Sequence, residues 1–299
     1  MLTALLADAF RRFGAGRDSS ESGSGTPEQG RLLGQAIEHV VDETYSRLRV
    51  LPGYAERLRE PVRRAFAYID GLVEAMPEPL LCSRSRYVTD PQLNAFFGSA
   101  DQIQEVFSQS EAVRDLFDAH PEASECWALL CMRREERQHM GLALVGEEVR
   151  REVLQTGVSF GHHQVMSPGV DEDDARHALK CCIFGSLLGY IRRRVKHDKE
   201  QVADLQSQRA QLQVQLKQTD SGVQAEGLEA RIDAIERELA SLNQPLATLE
   251  DYLGFVAEVV SGPENFIRSS ADQLRLTRMG VKLTDGSSES GYMVPVVEI

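Results

Sequence analysis

Residues 171–213, DEDDARHALKCCIFGSLLGYIRRRVKHDKEQVADLQSQRAQLQ, carry apolar side chains at a spacing of seven and so decide the architecture. Cys181, Leu188, Val195, Val202, Arg209 and Leu216 form one series, and Phe184, Ile191, Asp198, Leu205, Leu212 and Thr219 follow three residues behind. Two such series on one helix make a seam for a second helix. The stretch TDSGVQAEG at 219–227 interrupts it, and Gly222 suits a reversal of direction.

A second pattern then runs through Ala225, Ile232, Leu239, Leu246, Leu253 and Val260, with Leu228, Ile235, Leu242, Leu249 and Val256 beside it. It reads as almost five uninterrupted heptads, with a bend expected at Pro245. Folding at the break sets Leu216 beside Leu228, Leu212 beside Ile232 and Leu205 beside Leu239. The sequence therefore predicts an antiparallel coiled-coil hairpin with arms of about 22 residues, projecting roughly 33 Å. Straightened arms pairing between two chains would give a dimer instead; the short glycine-containing break favours the hairpin.

Upstream, Thr26-Pro27-Glu28 is a helix start: a capping hydroxyl, a proline at the first position and an acid in the first turn. Leu33, Ile37, Val40, Val41, Thr44 and Leu48 make its stripe, and Leu58, Val62, Phe66, Ile69, Val73 and Met76 make the next, with a bend or a later start at Pro61. A turn-rich connection, MPEPLLCSRSRYVTDP at 76–91, precedes short helices predicted at 91–97, 101–108 and 111–117. His120-Pro121-Glu122 reads as the opening of a long helix to Leu154. QTGVSFGHHQVMSPG at 155–169 breaks it, with room for one short strand. At the end, LRLTRMGVKL and GYMVPVVEI have strand composition and flank TDGSSES, which predicts a small hairpin.

At the start, Leu2, Leu5, Leu6, Phe10 and Phe13 share one helical face, followed by a Gly/Ser-rich tether. Such a helix either folds back on its own body or docks in a partner's groove; Arg11, Arg12 and Arg17 supply little charge for peripheral membrane contact. The resulting layout is an amphipathic helix over 1–13, a linker over 14–27, a helical body over 28–197 and the coiled-coil hairpin over 198–244. A return helix over 245–270 and a β-like tail over 271–299 complete it. The fold class is mainly α: a helical bundle with a projecting antiparallel coiled-coil hairpin and a small C-terminal β-hairpin.

The chain of 299 residues has a net charge of −13, which disfavours non-specific binding to nucleic acid or anionic lipid. Five cysteines without a C-x-x-C pair suit a reducing, cytoplasmic compartment. No apolar run approaches the roughly 20 residues that span a bilayer, and MLTALLADAFRRF lacks the order of a secretory signal.

Two constellations suggest chemistry. Glu136-x-x-His139 and Asp174-x-x-His177 each place a carboxylate and an imidazole one helical turn apart, within reach of one metal ion. The Glu-x-x-His spacing resembles a fragment of the ferritin-like di-iron signature, over these few residues only. It departs from that signature in its Asp, in the short loop between the two motifs, and in the further carboxylates. Glu38, Asp42, Asp70 and Glu74 all lie off the inward stripes. The alternative reading is a Glu–His and an Asp–His hydrogen bond inside a helical core.

His162-His163 lacks the paired spacing of a zinc site. Arg192, Arg193, Arg194 and Lys196 form a basic collar that could grip phosphate or RNA, but aromatic interleaving is sparse. No G-x-S-x-G, P-loop or G-x-G-x-x-G is present, so no cofactor is predicted beyond the metal alternative. The sequence points first to a non-enzymatic interaction or scaffold protein, with the hairpin and the tethered helix as contact elements. Metal binding and nucleic-acid binding follow as alternatives, and self-association is also expected.

Overall fold

A computed structural model describes residue 10 and residues 27–145, 148–218, 222–246, 248–284 and 289–298. The chain is mainly helical, as the periodicities require, and carries two small antiparallel sheets. It divides into two compact units, Met1–Ile69 with Ile183–Ile267, and Asp70–Cys182 with Arg268–Ile299.

The first unit is helical. Helix α1 (Pro27–Thr44) buries Leu32, Leu33, Ala36, Ile37, Val40 and Val41, the three- and four-residue spacing of one face. Thr44 closes that face, its hydroxyl donating to the Val40 carbonyl at 2.6 Å. A 3-10 turn (Ser46–Val50) buries Leu48. Helix α2 (Tyr54–Glu74) follows Gly53, whose φ of 76° only glycine adopts cheaply. It runs on through Pro61, so the proline neither delays the start nor ends the helix. Leu58, Val62, Phe66 and Ile69 are its buried stripe in this unit.

Helix α7 (Glu172–Gln218) enters this unit at Ile183. It buries Phe184, Leu187, Leu188, Ile191 and Val195. Helix α8 (Val223–Leu246) returns beside it. Between Lys199 and Ala240 the buried positions among the described residues are Leu205, Leu212, Ile232 and Leu239. All four are the sevenfold positions read from the sequence. Arg209 Nη1 reaches Glu236 Oε1 across the two arms at 3.8 Å, as a reversal about Gly222 demands.

The second heptad series is not continuous. Helix α9 (Leu249–Ser261) begins afresh, because Thr248 and Asp251 form a reciprocal capping box: Asp251 N–H donates to Thr248 Oγ1 at 3.2 Å, and Thr248 N–H donates to Asp251 Oδ2 at 2.8 Å. Leu253, Val256, Val259 and Val260 bury its inner face. Lys199 Nζ lies 3.2 Å from the centre of the Tyr45 ring, which meets Tyr252 edge-on at 5.1 Å.

The second unit combines short helices and sheets. Helices α3 (Arg84–Tyr87), α4 (Pro91–Phe96), α5 (Ala100–Gln109) and α6 (Glu111–Ala119) are capped by the side chains of Ser83, Asp90, Ser99 and Ser110. Strands β1 (Trp127–Val145) and β2 (Glu148–Gly169) pair antiparallel, with Glu136 opposite Val158 and His139 opposite Gln155. Strands β3 (Ser270–Leu276) and β4 (Tyr292–Glu298) make the predicted C-terminal hairpin. Val158 N–H donates to the Gly280 carbonyl at 2.7 Å, and Lys282 N–H to the Thr156 carbonyl at 2.8 Å, so the link after β3 runs along β2. Leu93, Phe96, Phe97, Ile103, Val158 and Leu274 lead the core here.

The long helix expected from His120 to Leu154 is overturned: this stretch forms β1 and the start of β2. Arg, Glu, Gln, Met and Leu in it are helix formers by local preference. Its partner segment holds Gly157 and Gly161 with Val153, Thr156 and Val158, which favour extended chain over helix. Once 153–165 is extended, backbone pairing with it carries 127–145 into a strand. Local preference lost to a tertiary contact.

Candidate functional site

The change from helix to strand removes the geometry of the first metal pair. Successive side chains on a strand point to opposite faces, so Glu136 and His139, three apart and in regular register, diverge. Glu136 Oε1 is 3.1 Å from Lys282 Nζ and 3.7 Å from Arg134 Nε. The His139 ring instead covers Gly157, where an added Cβ would meet Cε1 at 3.3 Å.

The second pair sits in the first turns of α7. Asp171 accepts from the Asp174 N–H at 2.8 Å, and His177 Nδ1 donates to the Asp173 carbonyl at 2.5 Å. Glu172, Asp173 and Asp174 in the first turn are placed as the helix dipole favours. Among the described residues no three His, Cys, Asp or Glu side chains converge as a metal set. His163 is pinned elsewhere: Nε2 donates to the Phe96 carbonyl at 2.6 Å, and its ring stacks on Phe97 at 4.9 Å.

The basic collar is internally answered. Arg192 reaches Glu43 at 3.0 Å, Arg194 reaches Asp198 at 3.1 Å and Lys196 reaches Glu200 at 3.6 Å. Arg193 is exposed. The pairs of Arg192 and Lys196 are solvent-facing and weak, and Arg194 pairs with the largely covered Asp198; together they lower the field available to a polyanion.

Of the N-terminal residues, Phe10 is fully buried, its ring 4.4 Å from Phe66 and 6.2 Å from Phe184. Leu2, Leu5, Leu6 and Phe13 lie outside the described residues.

Two features remain as candidate sites. One is the α7–α8 hairpin in the first unit, whose arms bury a single narrow seam and expose polar side chains on the remaining faces. The other was not read from the sequence: a groove of about 1360 Å³ lined entirely by second-unit residues. Its walls come from the end of α2, the 76–84 connection, α5, α6, β1, the start of α7 and the end of β4. Two signals in the sequence were available for it. Leu80, Leu81 and Cys82 are apolar residues in a turn-rich segment, and the run Cys126–Met132 is apolar on both of its faces.

Three thiols line this groove, Cys82, Cys126 and Cys131. Burial raises all three, and Cys82 is pushed up to about 11 by burial first and by Asp90 second. Cys181 is likewise pushed up to about 11, by burial first and by the neighbouring Cys182, against the opposing effect of Lys180. A thiol raised to about 11, as at Cys82 and Cys181, is neutral at pH 8, with roughly a hundredfold less thiolate than a free cysteine. Alkylation of Cys82 and Cys181 in the native protein at pH 8 should therefore be slow, and should become fast in denaturant. Mass-spectrometric labelling checks this; native Cys82 reacting at the rate of a free thiol would contradict it. The sign for stability follows: a thiol raised in the folded state favours folding below its unfolded value, and that contribution is lost as pH rises through about 11.

No protein-family model, curated protein or solved structure matches this chain.

Proposed function

We propose that the chain is a non-enzymatic interaction protein in which the α7–α8 hairpin, an antiparallel coiled coil, is the main contact element. One observation carries this reading. From Lys199 to Ala240 the described residues bury only Leu205, Leu212, Ile232 and Leu239, so this length of helix closes on itself and adds little to any wider core. Helices that serve only to complete a bundle bury a broader stripe, of about 100° or more. Arms built this way supply a long polar surface whose charges choose a partner.

The tethered N-terminal helix is the second contact element in this reading. Phe10 itself is seated on Phe66 and Phe184. A reducing, cytoplasmic setting fits five free cysteines. Among the described residues no helix is long and apolar enough to cross a membrane.

Replacing residues 203–240 with a short turn in the full chain tests the proposal. The thermal transition of the remaining protein should persist, while the proteins that co-purify with the intact chain, identified by mass spectrometry, should be lost. Retention of every partner by the shortened chain would sink the reading. Sedimentation at several concentrations tells whether one of those partners is a second copy.

A further inference from the structure

Where the α7–α8 hairpin meets the first unit, its covering changes from a broad stripe to a narrow seam. Helix α7 buries Val195 as the last residue of its broad inner face, and the returning chain is buried again from Leu253 in α9. Between these points the arms rest mainly on each other. A long lever turns a small opening at its root into a large displacement of its tip. Whatever holds the root therefore sets where the outer faces of the arms point.

Lys199 stands at that root, between Tyr45, which follows the last residue of α1, and Tyr252, in the first turn of α9. All three belong to the first unit. The Lys199 ammonium lies 3.2 Å from the centre of the Tyr45 ring and 5.7 Å from that of Tyr252. The two rings meet at 5.1 Å and 71°, so the edge of one supports the other. The acids beside the lysine are already engaged: Asp198 is 3.1 Å from Arg194, and Glu200 is 3.6 Å from Lys196. No ion pair joins Lys199 to an acid among the described residues, which leaves the phenol face as its counterpart. Lys199 and Tyr45 are both half-buried, and an ammonium over a ring is held more firmly where water is partly excluded.

We propose that Lys199, Tyr45 and Tyr252 form a charge-held latch at the root of the hairpin. With the ammonium on the Tyr45 face, the outgoing chain in α7 and the incoming chain in α9 are both tied to the end of α1. With that charge removed, the root frays and the arms move as one lever while their own seam stays closed. The latch rests on the reading of the hairpin as a contact element, because it sets how that element is presented. Its test uses no partner, so the two can fail separately.

Hydrogen–deuterium exchange of the full-length protein reads the opening, since helix amides exchange through local opening equilibria. Amides of residues 196–204 and 249–256 cover the root, and those of 208–216 are a control beyond it. Lys199→Met keeps the stem and drops the charge, and should speed exchange at the root about tenfold. Lys199→Arg keeps a cation for the ring and should stay within about twofold of the parent. Tyr45→Leu should match Lys199→Met, and the double variant should be no faster than either single one, because both remove the same contact. The control amides should not change.

Root exchange at the parent rate in Lys199→Met overturns the proposal. So does an arginine variant as fast as the methionine one, which would mean that stem packing rather than charge holds the root. Effects of Lys199→Met and Tyr45→Leu that simply add in the double variant overturn it equally. Lys199→Met and Lys199→Arg change a half-buried side chain only, so they decide the matter even where Tyr45→Leu fails to fold.

Discussion

Asp70→Ala should destabilise the protein by about 3–5 kcal/mol. Lys180 and Asp70 form an ion pair inside the second unit, their side chains only 11% and 8% exposed. Removing the carboxylate strands an ammonium away from water, and that desolvation cost is no longer offset. The pair itself need not be a net gain over apolar side chains. Asp70→Leu combined with Lys180→Met should therefore recover most of the loss, since replacing a buried pair by packed hydrocarbon is often neutral or better. Urea unfolding of the two variants separates these effects. Equal losses in both would mean that the pair, rather than the stranded charge, carries the stability.

Phe184→Ala should cost a similar amount, about 3–5 kcal/mol, because it empties a fully buried position in α7. Phe184 packs on Phe66 at 5.0 Å and on Phe10 at 6.2 Å, so the cavity opens at the centre of the first unit. Phe10 shares that cluster yet should behave differently. On the proposed tether of residues 14–27, which are rich in Gly and Ser, its side chain can leave while the helices stay folded. The loss from Phe10→Ala is then capped by the free energy of docking that segment, and a smaller shift in urea midpoint than for Phe184→Ala is expected. A Phe10→Ala loss as large as that of Phe184→Ala would show that the segment unfolds only with the whole unit and is no detachable element.

The helices were legible where one face meets one core. Leu33, Ile37, Val40 and Val41 in α1, and Leu58, Val62, Phe66 and Ile69 in α2, are buried as their spacing requires. The seam at Leu205, Leu212, Ile232 and Leu239 is buried in the same way, and Arg209 reaches Glu236 across the arms as the reversal requires. The end of the second heptad series was not legible as a break. A capping box and a heptad position coincide near Thr248, and a periodic count sees only the apolar residue. The candidate metal set failed for a related reason. A carboxylate and an imidazole three apart converge on a helix and diverge on a strand, so a wrong element inverts the chemistry inferred from it.

By itself the sequence determined helices α1 and α2, the reversing pair of long arms, the short helices after the 76–91 connection and the C-terminal hairpin. Each of these is written in local signals: a period, a cap, a turn. Only the tertiary structure decided the β1–β2 hairpin, the ion pair of Asp70 with Lys180 and the groove beside Trp127. These depend on which distant segments meet. A strand made of helix-forming residues exists because its partner is extended, a buried charge is tolerated because its mate lies 110 positions away along the chain, and a cavity is the space that several elements leave between them. None of those quantities is a property of a window of neighbouring residues.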